Sequence, residues 1–207
     1  MRASACLSYA QRGPLFSRLQ PAAPTGRAVG IGISAPQGCG KTTLVDTLVG
    51  RFAADGLAWH VQRDPVDVLL FEGWMAGFAP AGDAARLAGL DPDLALVDSF
   101  LRGYAEWHDK MDAWAVIGID DLSHVCAWRT QAEQAMAAAG RPGTPEGMDD
   151  AAVADFVSRY LPAYRAYLPA LYTAAQAGGV GGKPTLLARV DGSRRVVPTA
   201  ELGAPSG

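Results

Sequence analysis

Eight consecutive residues, Ala35-Pro36-Gln37-Gly38-Cys39-Gly40-Lys41-Thr42, carry the most legible chemistry in this sequence. A glycine-rich loop followed by a lysine and a hydroxyl residue suits a polyphosphate. Inward-turned backbone N–H groups make an anion nest. A helix starting at the lysine adds unpaired N–H donors and a positive dipole end. Gly38 and Gly40 keep side chains away from the phosphates and permit unusual φ angles. Lys41 would bridge the β- and γ-phosphates, and the Thr42 hydroxyl would ligate Mg²⁺. The cradle then runs from Ala35 through Thr43. Alanine replaces the usual first glycine at position 35, which is acceptable where φ is negative. The plain alternative is a glycine-rich turn with a surface lysine. Cys39 has two readings: a thiol activated by nearby N–H donors, making the loop sensitive to oxidation, or a small residue that fits.

Such a loop needs a strand before it and a helix after it. Residues 28–34 (AVGIGIS) are apolar and β-branched and predict a buried strand. In residues 41–54, Leu44, Val45, Leu48, Val49 and Phe52 recur at helical spacing on one face. Further strands are expected at 66–71, Ala113–Ile119 and Thr185–Val190. Helices are expected at 93–104, 122–139, 149–160 and 162–175. Residues 140–147 (GRPGTPEG) read as a flexible loop, residues 178–182 as a turn and the tail from Gly192 as frayed. Strands alternating with helices predict an α/β fold, a parallel sheet covered on both faces.

Glu72 is the second candidate. It ends the apolar run at 66–71 and precedes Gly73-Trp74. An acid at the carboxyl end of a central strand lies where open α/β sheets bind ligands. There it would orient Mg²⁺ or its water; the alternative is a capping or salt-bridging glutamate.

Composition narrows the function. The 207 residues carry a net charge of −3, with only three lysines, Lys41, Lys110 and Lys183. That balance argues against broad binding to nucleic acid or acidic membranes, which needs a basic field. No apolar run approaches the ~20 residues that cross a bilayer. Three scattered cysteines make no paired disulfide framework, and three dispersed histidines make no metal-ligand spacing. Residues 1–28 hold four arginines and no acid; the first acid is Asp46. They read either as an organelle transit peptide or as an ordinary N-terminal helix. Residues 29–207 then form one domain.

Taken together, these segments resemble the D-glycerate 3-kinase family of plants, algae and cyanobacteria. The stretch from Ile33 to Leu44 is similar to that family's phosphate loop, where alanine at the first position is usual. Phe71-Glu72-Gly73-Trp74-Met75-Ala76-Gly77-Phe78 resembles its EGWxxGF segment. Tyr104-Ala105-Glu106-Trp107-His108 and Asp112-Ala113-Trp114 resemble a later helix and strand. Ala127-Trp128-Arg129-Thr130-Gln131-Ala132-Glu133 is similar to its WRxQAE helix, and residues 155–164 (DFVSRYLPAY) to its DFVxRYxPAY motif. The resemblance implies a P-loop NTPase-type three-layer fold and a kinase. That kinase would transfer the ATP γ-phosphate to a hydroxyl of D-glycerate, giving 3-phosphoglycerate, with ATP and Mg²⁺ as cofactors. In plants this step closes the photorespiratory cycle in the chloroplast. By the same resemblance Lys41, Glu72 and Arg129 would be catalytic, with Arg129 approaching the phosphates or the acceptor. Thr42 and Glu72 would hold the metal, and residues 140–147 would form part of a lid.

One departure is large. In the family the loop helix leads to a strand ending in an acidic pair, and several dozen acceptor-binding residues follow before the EGW strand. Here only residues 55–65 intervene, and the acids near the start of the next strand are Asp64 and Asp67. The expectation is therefore the same fold reduced by an internal deletion. Phosphoryl transfer still needs a base or orienting carboxylate at the acceptor hydroxyl. Three readings stand: a glycerate-kinase-like enzyme impaired by the loss, an ATP-binding protein without catalysis, and a kinase for another small alcohol such as a nucleoside or pantothenate.

Overall fold

A computed structural model describes residues 28–41, 44–47, 50, 68–138 and 147–197. Five strands form one sheet: β1 Val29–Ser34, β2 Val68–Glu72, β3 Ala113–Ile119, β4 Thr185–Val190 and β5 Val196–Val197. Their order is β2-β1-β3-β4-β5. The first four run parallel, as expected from strand–helix alternation. β5 is antiparallel to β4 and corrects two expectations at once. The sheet is not wholly parallel, and the chain past Gly192 is not frayed up to Val197. A tight turn, Asp191 to Arg195, folds β5 back onto its neighbour, which needs no crossover.

Five α-helices lie among the described residues outside the loop helix: α1 Ala84–Leu90, α2 Leu94–His108, α3 Ser123–Ala138, α4 Asp150–Ser158 and α5 Leu161–Gln176. The expected helices at 93–104, 122–139, 149–160 and 162–175 correspond to α2 through α5. α1 was not expected from the sequence; its seven residues are too short to show periodicity, and Asp83 caps it by accepting the Arg86 N–H at 3.0 Å. A 3₁₀ turn, Val180–Gly182, stands where a turn was expected. Residues 1–27, most of 48–67, 139–146 and 198–207 lie outside the described set, and with them the transit-peptide and lid readings. Among the described residues no helix is long and apolar enough to cross a membrane.

The sheet is covered on both faces. On one, Ile31, Ile33, Val68 and Ala115 pack with Leu44 and Val45 from the helix after the loop. On the other, Trp114, Val116, Phe78, Tyr164, Tyr167 and Leu171 belong to the main core. Trp114 lies flat against Gly32 of β1, and a Cβ there would strike its ring, so this strand position must be glycine. Asp98 of α2 is buried yet satisfied. It accepts N–H bonds from Ala81 at 2.6 Å and Gly82 at 3.4 Å and the Tyr167 hydroxyl at 3.2 Å, pinning the 79–82 loop to α2.

Candidate functional site

The loop after β1 is built as the sequence demands. Strand β1 is buried from Gly30 to Ser34. Gly38 and Gly40 take φ of +78° and +105°, values that L side chains rarely adopt. Helical backbone begins at Lys41, and the Leu44 N–H bonds the Gly40 carbonyl at 2.9 Å. Lys41 folds back over the loop: Nζ lies 3.1 Å from the Ala35 carbonyl oxygen and 4.0 Å from Glu72 Oε2. Thr42 and Thr43 lie outside the described residues.

Glu72 ends β2, and its neighbour in register is Ile33, one residue before the loop strand ends. That register brings the glutamate and Lys41 together at the carboxyl ends of adjacent strands. The strand is at the sheet edge among the described residues, not at its centre as the sequence reading had it. Glu72 is consequently half-exposed. Its hard oxygens are the donor type Mg²⁺ takes, as is a threonine hydroxyl, so the residue types fit that ion. β1 and β2 are neighbouring parallel strands.

Cys39 is 4% exposed, and its thiol donates to the Pro36 carbonyl at 2.8 Å. Burial pushes its pKa up to about 12 against the pull of Lys41. The thiol therefore stays protonated and unreactive, and the oxidation-sensitive reading gives way to the packing one.

Arg129 pairs with buried Glu133 one helical turn on, and its guanidinium lies 5.2 Å from the Phe156 ring centroid. Glu133 also accepts the Met148 N–H at 3.1 Å. Arg129 thus ties α3 to α4 and their connection, while its neighbour Trp128 is the residue that meets the loop. Trp128 is 1% exposed, and a Cβ on Gly38 would sit 2.6 Å from its own Cβ.

Several loop partners were not singled out from sequence. Tyr164, inside the DFVSRYLPAY stretch, accepts the Gln37 N–H at 3.2 Å through its hydroxyl. Burial raises its pKa, so it acts as a neutral phenol. Arg194 donates to the Gly38 carbonyl at 2.7 Å. Asp120 and Asp121 follow β3, the strand beside β1. Asp121 accepts the Ser123 N–H at 2.8 Å, and Asp120 lies 3.4 Å from His124. An acidic pair directly after an apolar strand was the signal available for these two.

Beside Glu72 lies a cavity of about 260 Å³ walled by Phe71, Gly73, Trp74, Ala76, Tyr104 and Trp107. Phe71 and Trp107 stack with centroids 5.8 Å apart, and Trp74 meets Tyr160 edge-on at 4.8 Å. None of the lining side chains is cationic.

The turn after Glu72 is held by His108, whose Nε2 accepts the Gly77 N–H at 3.0 Å. Burial holds the His108 pKa below its ordinary value, with Asp109 opposing. The neutral ring is the one that can accept this bond. Because the unfolded chain takes up the proton first, near ~6.5, stability is fully present above that pH and is lost as pH falls through the folded value. Thermal melts from pH 7 to 5 should show a decline that His108→Gln flattens. An unchanged slope in that variant would assign the acid sensitivity to other groups.

No family model matches the chain. It is 48% identical over 126 residues to the chloroplastic D-glycerate 3-kinase of Arabidopsis thaliana, a stretch that covers 60% of this chain and 26% of that protein. Over that stretch the chain is similar to D-glycerate 3-kinase. It is also 29% identical over 140 residues to the probable ATP-dependent kinase TDA10 of Saccharomyces cerevisiae, covering 65% of this chain and 46% of the yeast protein. The chain thus spans less than half the length of these two curated relatives. A solved D-glycerate 3-kinase from Cryptococcus neoformans superposes with a TM-score of 0.64 at 18% identity, covering 95% of this chain and 96% of that one. The chain therefore shares the α/β fold of that structure, with a mostly parallel sheet, as the sequence resemblance implied.

Proposed function

We propose that this protein is an ATP-dependent phosphotransferase of the D-glycerate 3-kinase type, passing the γ-phosphate of ATP to a hydroxyl of D-glycerate. One observation carries the reading: Lys41 and Glu72 stand 4.0 Å apart at the carboxyl ends of two adjacent parallel strands, over a loop whose glycines take positive φ. In this reading the amides from Gly38 to Thr43 hold the β- and γ-phosphates, and Lys41 neutralises charge that builds during transfer. Thr42 and Glu72 would hold Mg²⁺, which supplies charge neutralisation at the phosphates when bound. For Arg129 to serve as a further cation its guanidinium would have to leave Glu133, with which it is paired; its planar fork suits phosphate oxygens. The Arabidopsis relative is named chloroplastic, and with the acid-free, arginine-bearing residues 1–28 this supports a plastid, photorespiratory setting. Sequencing the mature N-terminus checks that placement, with a start near residue 28 expected.

A specific observation favours a second reading, ATP binding without transfer. Among the described residues, the cavity beside Glu72 is walled by aromatic and small side chains, none of them a cation suited to a glycerate carboxylate. The purified protein separates the two. With Mg-ATP and D-glycerate, the enzyme reading expects glycerate-stimulated ADP release that Glu72→Gln reduces. ATP-dependent thermal stabilisation without stimulated turnover would support the second reading. A melting curve indifferent to Mg-ATP would end both.

A further inference from the structure

The turn joining β4 to β5 is built to aim one side chain. The Asp191 carboxylate accepts the N–H of Ser193 at 2.8 Å and of Arg195 at 2.9 Å, and the Arg195 guanidinium closes on it at 3.0 Å. Across the turn the Arg194 N–H bonds the Asp191 carbonyl at 2.8 Å. Among the described residues Arg194 is the one non-glycine with positive φ, at +59°. That left-handed conformation is unfavourable for a residue bearing a Cβ, so the surrounding bonds must hold it.

The side chain so directed crosses to the phosphate loop, 156 residues away in sequence. Its Nε donates to the Gly38 carbonyl at 2.7 Å and its Nη1 to Gln131 Oε1 at 2.9 Å. Its Cζ lies 5.0 Å from the Trp128 ring centroid. Trp128 in turn donates from Nε1 to the Gly192 carbonyl at 2.8 Å, closing a ring of contacts from loop to α3 to turn and back. A trans peptide is planar, with its C=O and N–H pointing opposite ways. No peptide bond in the described residues is cis. Holding the Gly38 carbonyl toward Arg194 therefore turns the Cys39 N–H away from it.

We propose that Arg194 is a positioning residue for nucleotide: it fixes the Gly38–Cys39 peptide so that its N–H faces the bound phosphates. The inference rests on the nucleotide-binding reading above and adds to it a cation supplied from the far end of the chain. Glycine at 38 leaves this peptide free to rotate, and the arginine removes that freedom before ligand arrives, which favours binding through pre-organisation. The fork geometry matters, because two rigid donors reach two acceptors on different elements, and a lysine offers a single point charge.

Calorimetric titration of the full chain with Mg-ATP, and separately with inorganic tripolyphosphate, tests this. Arg194→Ala should weaken both ligands by a similar factor, roughly 10- to 100-fold. Arg194→Lys should recover only part of that loss, and Gln131→Met, which removes the far branch of the fork, should weaken both ligands less than Arg194→Ala. A lowered melting temperature with unchanged affinity for both ligands would make Arg194 merely structural and overturn the proposal. Loss of ATP affinity with tripolyphosphate unaffected would place Arg194 on the nucleoside and overturn it as well. A folded wild-type protein that binds neither ligand would instead remove the nucleotide reading itself.

Discussion

On the proposed phosphotransferase reading, Lys41→Ala is expected to cut turnover by about two to three orders of magnitude while leaving the fold intact. The ammonium lies 3.1 Å from the Ala35 carbonyl and 4.0 Å from Glu72, so it is held over the loop without anchoring the core. Its side chain is only 16% exposed, where a fixed charge acts on developing phosphate charge with little screening by water. Removing one preorganised donor from such a site typically lowers turnover by about 10²–10³-fold. Affinity for Mg-ATP should fall by roughly 10- to 100-fold, in line with a lost charge-assisted bond. The unliganded protein should melt near the wild-type temperature, whereas the rise in melting temperature with Mg-ATP should vanish. Turnover close to wild type in this variant would remove Lys41 from the reaction. Lys41→Arg should not rescue, since a wide planar fork does not replace a compact ammonium beneath two phosphates.

Trp128→Ala should have the largest effect on stability, and its damage should reach the loop. The indole is 1% exposed, lies under Gly38 and bonds the Gly192 carbonyl at 2.8 Å. Truncating a buried tryptophan costs about 3–5 kcal/mol. For a chain of this size that lowers the melting temperature by about 6–20 °C. The cavity would open between the phosphate loop, α3 and the 191–195 turn, so residual Mg-ATP binding should weaken beyond what partial unfolding explains. Trp128→Phe keeps a ring under Gly38 and loses the indole N–H, and a cost nearer ~1 kcal/mol from the missing bond is expected. Thermal or denaturant unfolding of the two variants checks this order. A Trp128→Ala protein as stable as wild type would show that the loop rests on something else.

Much of the scaffold was legible because its signals are local. The strands Ala113–Ile119 and Thr185–Val190 appear with the bounds that their apolar runs predicted. Four helices follow from local composition, such as the Ala- and Gln-rich, proline-free run at 122–139 and the acids that start 149–160, and the loop from Ala35 to Lys41 follows from glycine placement before a lysine. α1 escaped because seven residues hold barely two turns. β5 escaped because two residues show no alternation, and their pairing depends on where β4 already lies.

The candidate site divides the same way. Sequence alone determined that a phosphate-type loop opens a helix at Lys41 and that Glu72 closes an apolar strand, because both depend on neighbours a few residues apart. Tertiary structure alone decided that β2 is the edge strand among the described residues and that Glu72 comes within reach of Lys41. It also decided that Tyr164 and Arg194 close on the loop, that Arg129 turns to Glu133, and that Cys39 is sealed from water. Those outcomes depend on strand order and on which surfaces are buried together. They arise between residues up to 156 apart, where spacing along the chain carries no information about distance in space.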